Sequence, residues 1–234
     1  MALVVDVPVR AQLAEGVLSV DDGTEVRSIA HLVGSRWVGD TSCAANKNPS
    51  AREHLKVSGS VQLFPVRAVV PGSPEWLRLS PKIVELFEGR ERDQRLLSDR
   101  TSDSPRAVDW IYATTVGERL TYYFEASRRV TSASADVDHD TDPPGTLRIA
   151  VAGFLLDAPD RLVPVGTKSE LRWEQDGLPA GPSRPDLTPL GVVVYGDKSH
   201  WVMKGHSGTS SWFSLYEVGA DGTRTTLTVR PRRC

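Results

Sequence analysis

Hydrophobic and polar residues alternate along much of this chain, and the alternation is clearest across residues 108–229. Short runs rich in Val, Ile, Tyr, Trp and Thr are separated there by Gly, Pro and Asp. Runs of this composition are typical of antiparallel strands joined by turns. The pattern therefore predicts a mainly β protein with an antiparallel sheet that is sandwich-like or barrel-like.

Strands are predicted in both halves of the chain. In the first half they cover 3–9, 25–33 and 57–70, with a hairpin turn at Asp21-Asp22-Gly23-Thr24 and an edge or bulge at Pro65. In the second half they cover 107–115, 119–126, 146–157, 169–174, 191–195, 201–204, 212–218 and 223–229. Asp221-Gly222 predicts a hairpin turn between the last two of these strands. Four prolines predict that residues 178–189 form an irregular surface connection.

The hydrophobic period changes after residue 70. Ser73-Pro74 and Ser80-Pro81 each place a Ser before a Pro, as in a helix N-cap followed by the first helical position. An apolar face at helical spacing follows, and Gly89 is a suitable stop. We predict one substantial α-helix near 81–88, resuming over 95–97, with α+β as the alternative fold class.

Length and charge restrict the classes of protein. A chain of 234 residues can fold as a single domain, and we predict one over 1–234. The polar segment 98–106 is the candidate seam between an N-terminal α+β part and a C-terminal β meander. With 28 basic and 30 acidic side chains the net charge is -2, so no overall positive field favours nucleic acid as a partner.

The N-terminus, the apolar runs and the two cysteines indicate the location and redox state to expect. The N-terminus has neither a basic n-region nor an apolar h-region, and no apolar run is long enough to cross a bilayer. We therefore expect a soluble cytoplasmic protein with no membrane partner, a mature secreted form being the alternative. Cys43 and Cys234 are expected to be two reduced thiols, although one long-range disulfide would suit a secreted form.

One acidic segment has the spacing of a metal site. Asp136, Asp138, Asp140 and Asp142 occupy alternate positions, and carboxylate oxygens at this spacing can bind calcium. Thr141 and Leu147 stand where a calcium loop would carry its turn glycine and its bidentate glutamate, so a solvated acidic loop is the competing interpretation. We expect no organic cofactor.

A second segment, 197–211, contains the residue types of a hydrolase. Ser207, His206 and Asp197 could supply a nucleophile, its base and the group that orients the base. The letters around Ser207 depart from a nucleophile elbow, and no helix is predicted after them. Small polar residues in a hairpin loop explain the same sequence.

Aromatic residues around that segment are candidates for ligand binding. Trp201 and Trp212 flank the Gly/Ser-rich loop, and His200 precedes Trp201. Exposed rings could stack on a sugar or an apolar ligand, but a tryptophan on a strand is more often buried in a core. The polar segment 40–50 is a further candidate loop.

We therefore predict a non-enzymatic β-rich module that binds a small molecule, a glycan or a protein surface. The alternatives are a Ser/His hydrolase using loop 197–211, a metal-assisted enzyme using loop 136–142, and a structural or assembly subunit. No catalytic signature in its expected context supports an enzyme, so the sequence favours binding.

Overall fold

The computed structural model of this chain describes residues 15–23, 25–40, 53–93, 105–131, 146–159, 161–174, 187–207 and 210–230. Three antiparallel sheets and one helix make up these described residues. The prediction of a mainly β fold with one substantial helix is confirmed. No helix in these ranges combines the length and the apolar character that crossing a membrane requires.

The chain divides into two compact units. The first unit comprises Met1–Val66 and Asp186–Cys234, and the second unit comprises Arg67–Pro185. The prediction of a single domain with a seam at 98–106 stays a prediction, and residues 98–104 lie outside the described residues. Each unit has its own hydrophobic core.

The first unit contains a four-stranded and a five-stranded sheet. The four-stranded sheet has the order β3-β2-β1-β4, and the five-stranded sheet has the order β14-β13-β12-β11-β5. The strands are β1 (Gly16–Asp21), β2 (Val26–Val33), β3 (Arg36–Gly39), β4 (His54–Gly59), β5 (Gln62–Phe64), β11 (Leu187–Tyr195), β12 (Lys198–Ser207), β13 (Ser210–Gly219) and β14 (Gly222–Val229).

The two sheets of the first unit pack face to face. Leu18 and Leu32 of the four-stranded sheet share one buried cluster with Val193, Val202 and Leu215 of the five-stranded sheet. This is the arrangement of a β sandwich, in which the apolar inner faces bury each other. Near one end, Gly39 lies so close to Val229 that an added Cβ would stand 2.9 Å from its Cγ2, so β3 and β14 approach closely there.

The second unit contains a five-stranded sheet and the helix. Its order is β10-β9-β8-β7-β6, formed by β6 (Arg67–Ala68), β7 (Ala107–Val116), β8 (Arg119–Thr131), β9 (Thr146–Ala158) and β10 (Arg161–Glu174). The helix α1 (Pro74–Asp93) packs Leu79, Ile83 and Phe87 into a core with Ile111 and Phe124 of the sheet. The i, i+4, i+8 spacing of the three helical residues places them on one face.

The helix is longer than the sequence predicts. It begins after Ser73, whose Oγ accepts a hydrogen bond from the Trp76 backbone N–H at 3.2 Å, and it continues through Pro81 and Gly89 to Asp93. Ser80 is inside the helix, where its hydroxyl donates to the Trp76 carbonyl at 2.7 Å. Of the two Ser-Pro pairs, the first is therefore the cap and the second is an interior position.

Several turn predictions are confirmed. Asp21 and Val26 pair across a hairpin, and so do Gly219 and Gly222. Pro65 belongs to neither strand but lies between β5 and β6, each an edge strand of its sheet, and this position suits a residue with no N–H to donate. Pro164, Val165 and Gly166 have the residue types of a turn, but they lie inside β10, which continues through them with a register shift between Val165 and Lys168.

Candidate functional site

A cleft of about 630 Å³ opens in the first unit where β3 and β14 separate. The two strands approach at Gly39 and Val229, and the cleft lies toward their other ends, at Arg36 and Arg224. Small-ligand sites are commonly a few hundred to about 1,000 Å³ in volume, so this cleft has the size for a small molecule. Its lining comes from Leu32, Ser35, Arg36, Trp37, Tyr195, Gly196, Asp197, Lys198, His200, Glu217, Arg224, Thr225 and Thr226.

Two tight turns position the rim of the cleft. Gly34 and Ser35 connect β2 to β3 with φ values of 53° and 60°. Positive φ at both central residues is the geometry of a type I′ hairpin turn, which matches the twist of the flanking strands. Gly196 and Asp197 form the turn between β11 and β12, with Gly196 at φ 61°. The cleft is therefore framed by short turns on paired strands, which fix the backbone around it.

The floor of the cleft is aromatic and deeply buried. Trp37 is 9% exposed and His200 is 5% exposed, and their rings meet edge to face with centroids 6.3 Å apart. Tyr195 is half-buried, and its hydroxyl donates a hydrogen bond to the Glu15 carboxylate. These contacts hold the three rings in place, which gives a ligand a preorganised apolar surface.

Two polar ring atoms on this floor lack partners. Trp37 Nε1 and His200 Nδ1 are buried and have no hydrogen-bond partner among the described residues. Burial lowers the pKa of His200 to about 4; Lys198 and Arg224 act in the same direction, and Glu217 opposes them. His200 is therefore a neutral imidazole at neutral pH, with one nitrogen able to accept a hydrogen bond.

Charged side chains surround the mouth of the cleft. Arg224 Nη2 lies 2.6 Å from Glu217 Oε2, and Lys198 Nζ lies 3.7 Å from Glu217 Oε1. The hydrogen bond from Arg224 lowers the pKa of Glu217, which is therefore ionised at neutral pH. Arg36 and Asp197 lie exposed at the rim.

The structure brings some of the predicted site residues together and separates others. His200 and Asp197 both line the cleft, whereas Trp201 and Trp212 are absent from its lining. Trp201 is 1% exposed, and as the strand neighbour of His200 it faces the opposite side of the sheet. Trp212 is half-buried on β13, with its indole ring packed over Gly205 of the neighbouring strand.

The three hydrolase candidates do not lie at one place. Asp197 precedes β12 at one end, and His206 and Ser207 lie at the other end of the same strand. Nine residues of extended strand span about 30 Å, far beyond hydrogen-bond reach. Asp197 is therefore not the group that orients His206.

The calcium candidates Asp136, Asp138, Asp140 and Asp142 lie outside the described residues, as do loop 41–50, Cys43 and Cys234. Within the described ranges, no group of three or more His, Cys, Asp or Glu side chains is arranged to hold a metal ion. The calcium site stays a prediction.

Five cleft residues carry no local sequence signal. Arg36, Trp37, Tyr195, Glu217 and Arg224 come from three separate parts of the chain, and only strand pairing and sheet packing bring them together. No model of a known protein family, no curated protein and no solved structure matches this chain.

Proposed function

We propose that this protein is a binding module that holds a small molecule in the cleft of the first unit. The observation that carries the proposal is the aromatic lining of that cleft: Trp37 and His200 both line it, and one ring nitrogen of each is buried without a partner among the described residues. A buried polar group without a partner costs about 1–3 kcal/mol. A ligand that reaches these atoms after a small turn of either ring would recover part of that cost.

The buried aromatic residues favour a small molecule over a glycan. Sugar-binding surfaces usually offer a broad exposed ring face for stacking, as tryptophan does when one of its faces is open. Trp37 and Trp201 are almost completely buried. Only a small part of the Trp37 surface is open to the cleft and Trp201 does not line it, so the cleft suits a compact ligand.

A cleft-blocking variant tests this proposal. Thr225 lines the cleft, and Thr223, two residues away on the same strand, does not. A fragment library screened by saturation-transfer NMR should give ligands that compete with one another for the wild-type protein. Thr225→Trp should abolish their binding because the indole fills the mouth, and Thr223→Trp should preserve it.

Two results would contradict the proposal. One is the absence of competing ligands for the wild-type protein. The other is unchanged binding by Thr225→Trp, which would show that the ligands bind elsewhere.

A further inference from the structure

The charges at the mouth of the cleft do not balance. Its lining contains three cationic side chains, Arg36, Lys198 and Arg224, and two anionic ones, Asp197 and Glu217. His200 is neutral, because burial lowers its pKa. The side chains of the lining therefore sum to +1, opposite in sign to the net charge of -2 of the whole chain, while Glu15, outside the lining, accepts a hydrogen bond from the Tyr195 hydroxyl.

Glu217 already has two cationic partners. It forms ion pairs with Arg224 at 2.6 Å and with Lys198 at 3.7 Å. One carboxylate thus pairs with two cations, and its lowered pKa keeps it ionised at neutral pH. These partners leave Glu217 poorly placed to neutralise a third cation at the rim.

Arg36 is that third cation. It is exposed at the first position of β3, directly after the type I′ turn, and no carboxylate in the described part of the chain pairs with it. A guanidinium offers a planar fork of N–H donors that matches the two oxygens of a carboxylate or a phosphate. The rigid turn fixes the backbone from which this fork extends.

The apolar surface lies next to this cation in sequence and in space. Trp37 follows Arg36 on β3, and Leu32 and Tyr195 line the same cleft. An aromatic or aliphatic body would fit against these residues while an oxyanion at its end reaches Arg36. The hydroxyl groups of Ser35 and Thr225 also line the cleft, whereas the Thr226 hydroxyl already donates to the Leu215 carbonyl.

We propose that the ligand of this cleft is a small organic anion, with a carboxylate or phosphate that binds Arg36 and an apolar body that packs against Trp37. This inference rests on the proposed function, since it names the class of molecule that the same cleft takes. It also identifies Arg36 as the residue that determines the preference for an anion.

Three probes with the same ring test the inference. Benzoate and phenyl phosphate carry an oxyanion, and benzyl alcohol is their neutral counterpart. Affinity is measured for the full chain by NMR titration at low ionic strength, where screening is weak. The expected result is binding of at least one anion about tenfold tighter than benzyl alcohol, the increment of one charge-assisted contact.

Arg36→Gln should remove this preference, so that neither anion binds more tightly than benzyl alcohol. Arg119→Gln is the matched control, because Arg119 is an exposed arginine beside a hairpin turn of the second unit. A preference for benzoate alone identifies the oxyanion as a carboxylate, and a preference for phenyl phosphate alone identifies it as a phosphate.

The outcomes separate the inference from the proposed function. Equal affinity for all three probes, or an anion preference that survives in Arg36→Gln, would overturn the anion assignment while binding in the cleft stands. Binding of none of the three would overturn the anion assignment too, and the fragment screen then decides the proposed function separately.

Discussion

One buried histidine of the first unit, His200, makes the stability of the protein sensitive to acid. His200 is buried on β12, and burial lowers its pKa to about 4 from an ordinary value of 6.5. Between these two values the unfolded chain binds a proton at His200 and the folded protein does not. The contribution of His200 therefore leaves the free energy of unfolding at its highest value above pH 6.5 and lowers it as the pH falls toward 4.

We predict that the free energy of unfolding falls by about 3 kcal/mol across that window because of His200, since each pKa unit corresponds to about 1.4 kcal/mol. Urea unfolding at a series of pH values measures it. His200→Gln should flatten the dependence, and His54→Gln, at an exposed histidine of the same unit, should retain it. Equal pH dependence in His200→Gln and the wild type would show that His200 does not carry the effect.

Backbone geometry at two glycines gives a second prediction for single residues. Gly59 and Gly23 have nearly equal φ values of 80° and 84°, in the left-handed region that disfavours a side chain. A Cβ at Gly59 would lie 2.3 Å from the Glu15 carbonyl oxygen, and one at Gly23 would meet no described atom within 4 Å. The two positions differ in steric space but share their backbone strain.

Gly23→Ala should lower the free energy of unfolding by about 1–2 kcal/mol, the cost of left-handed backbone in a residue with a Cβ. Gly59→Ala should cost clearly more, because the opposing atom is backbone and cannot rotate away. Thermal and urea unfolding of both variants measure the difference. Equal losses would mean that the Glu15 segment moves freely.

At the level of elements, sequence periodicity predicts the fold class well and element boundaries less well. The hairpins at 107–126 and 212–229 follow directly from alternation and turn residues, and the structure has both. Strand β1 was missed although Gly16, Leu18 and Val20 are buried at every second position. A strand of six residues is too short for its alternation of apolar and polar positions to stand out from that of the neighbouring segments.

The helix shows why a local signal can be ambiguous. Both Ser-Pro pairs have the letters of an N-cap, and only the packing of Trp76 and Leu79 against the sheet favours the earlier start. That packing is long-range information, which a local pattern does not contain. Pro81 is then tolerated inside the helix at an exposed position.

Pro81→Ala should therefore stabilise the second unit. Proline inside a helix removes one backbone hydrogen bond and costs up to about 3 kcal/mol relative to alanine, and its rigidity in the unfolded chain offsets only part of this. We expect a higher melting temperature by calorimetry. A lower melting temperature would show that the Pro81 ring makes a stabilising contact that outweighs the lost hydrogen bond.

At the scale of the whole chain, the candidate site depends on contacts between distant segments. The first unit is assembled from Met1–Val66 and Asp186–Cys234, so Arg36 and Arg224 line one cleft although most of the chain separates them. His200 and Asp197 could be predicted because they lie in one segment with conspicuous residue types. Arg36 and Glu217 could not, because nothing in their local sequence indicates a common cleft.

The second unit is stabilised by contacts of its own. Arg78 of α1 donates to both carboxylate oxygens of Asp157 at 3.0 and 2.7 Å, and to the Tyr122 hydroxyl at 2.8 Å. Burial raises the pKa of Tyr122 to about 12, so its hydroxyl keeps its proton at neutral pH. These bonds connect the helix to β8 and β9 and give the Tyr122 hydroxyl a partner, while its ring is buried in the core of the second unit.

The indole N–H signal of Trp37 tests the central claim most directly. Trp37 lines the cleft and its Nε1 is buried without a partner in the described residues, and the spectrum of the Trp37→Phe variant identifies its peak among those of the six tryptophans. A fragment that binds in the cleft should shift this peak more than the peaks of Trp76 and Trp110, which belong to the second unit. A bound fragment that leaves the Trp37 peak unmoved would contradict the claim that this cleft is the binding site.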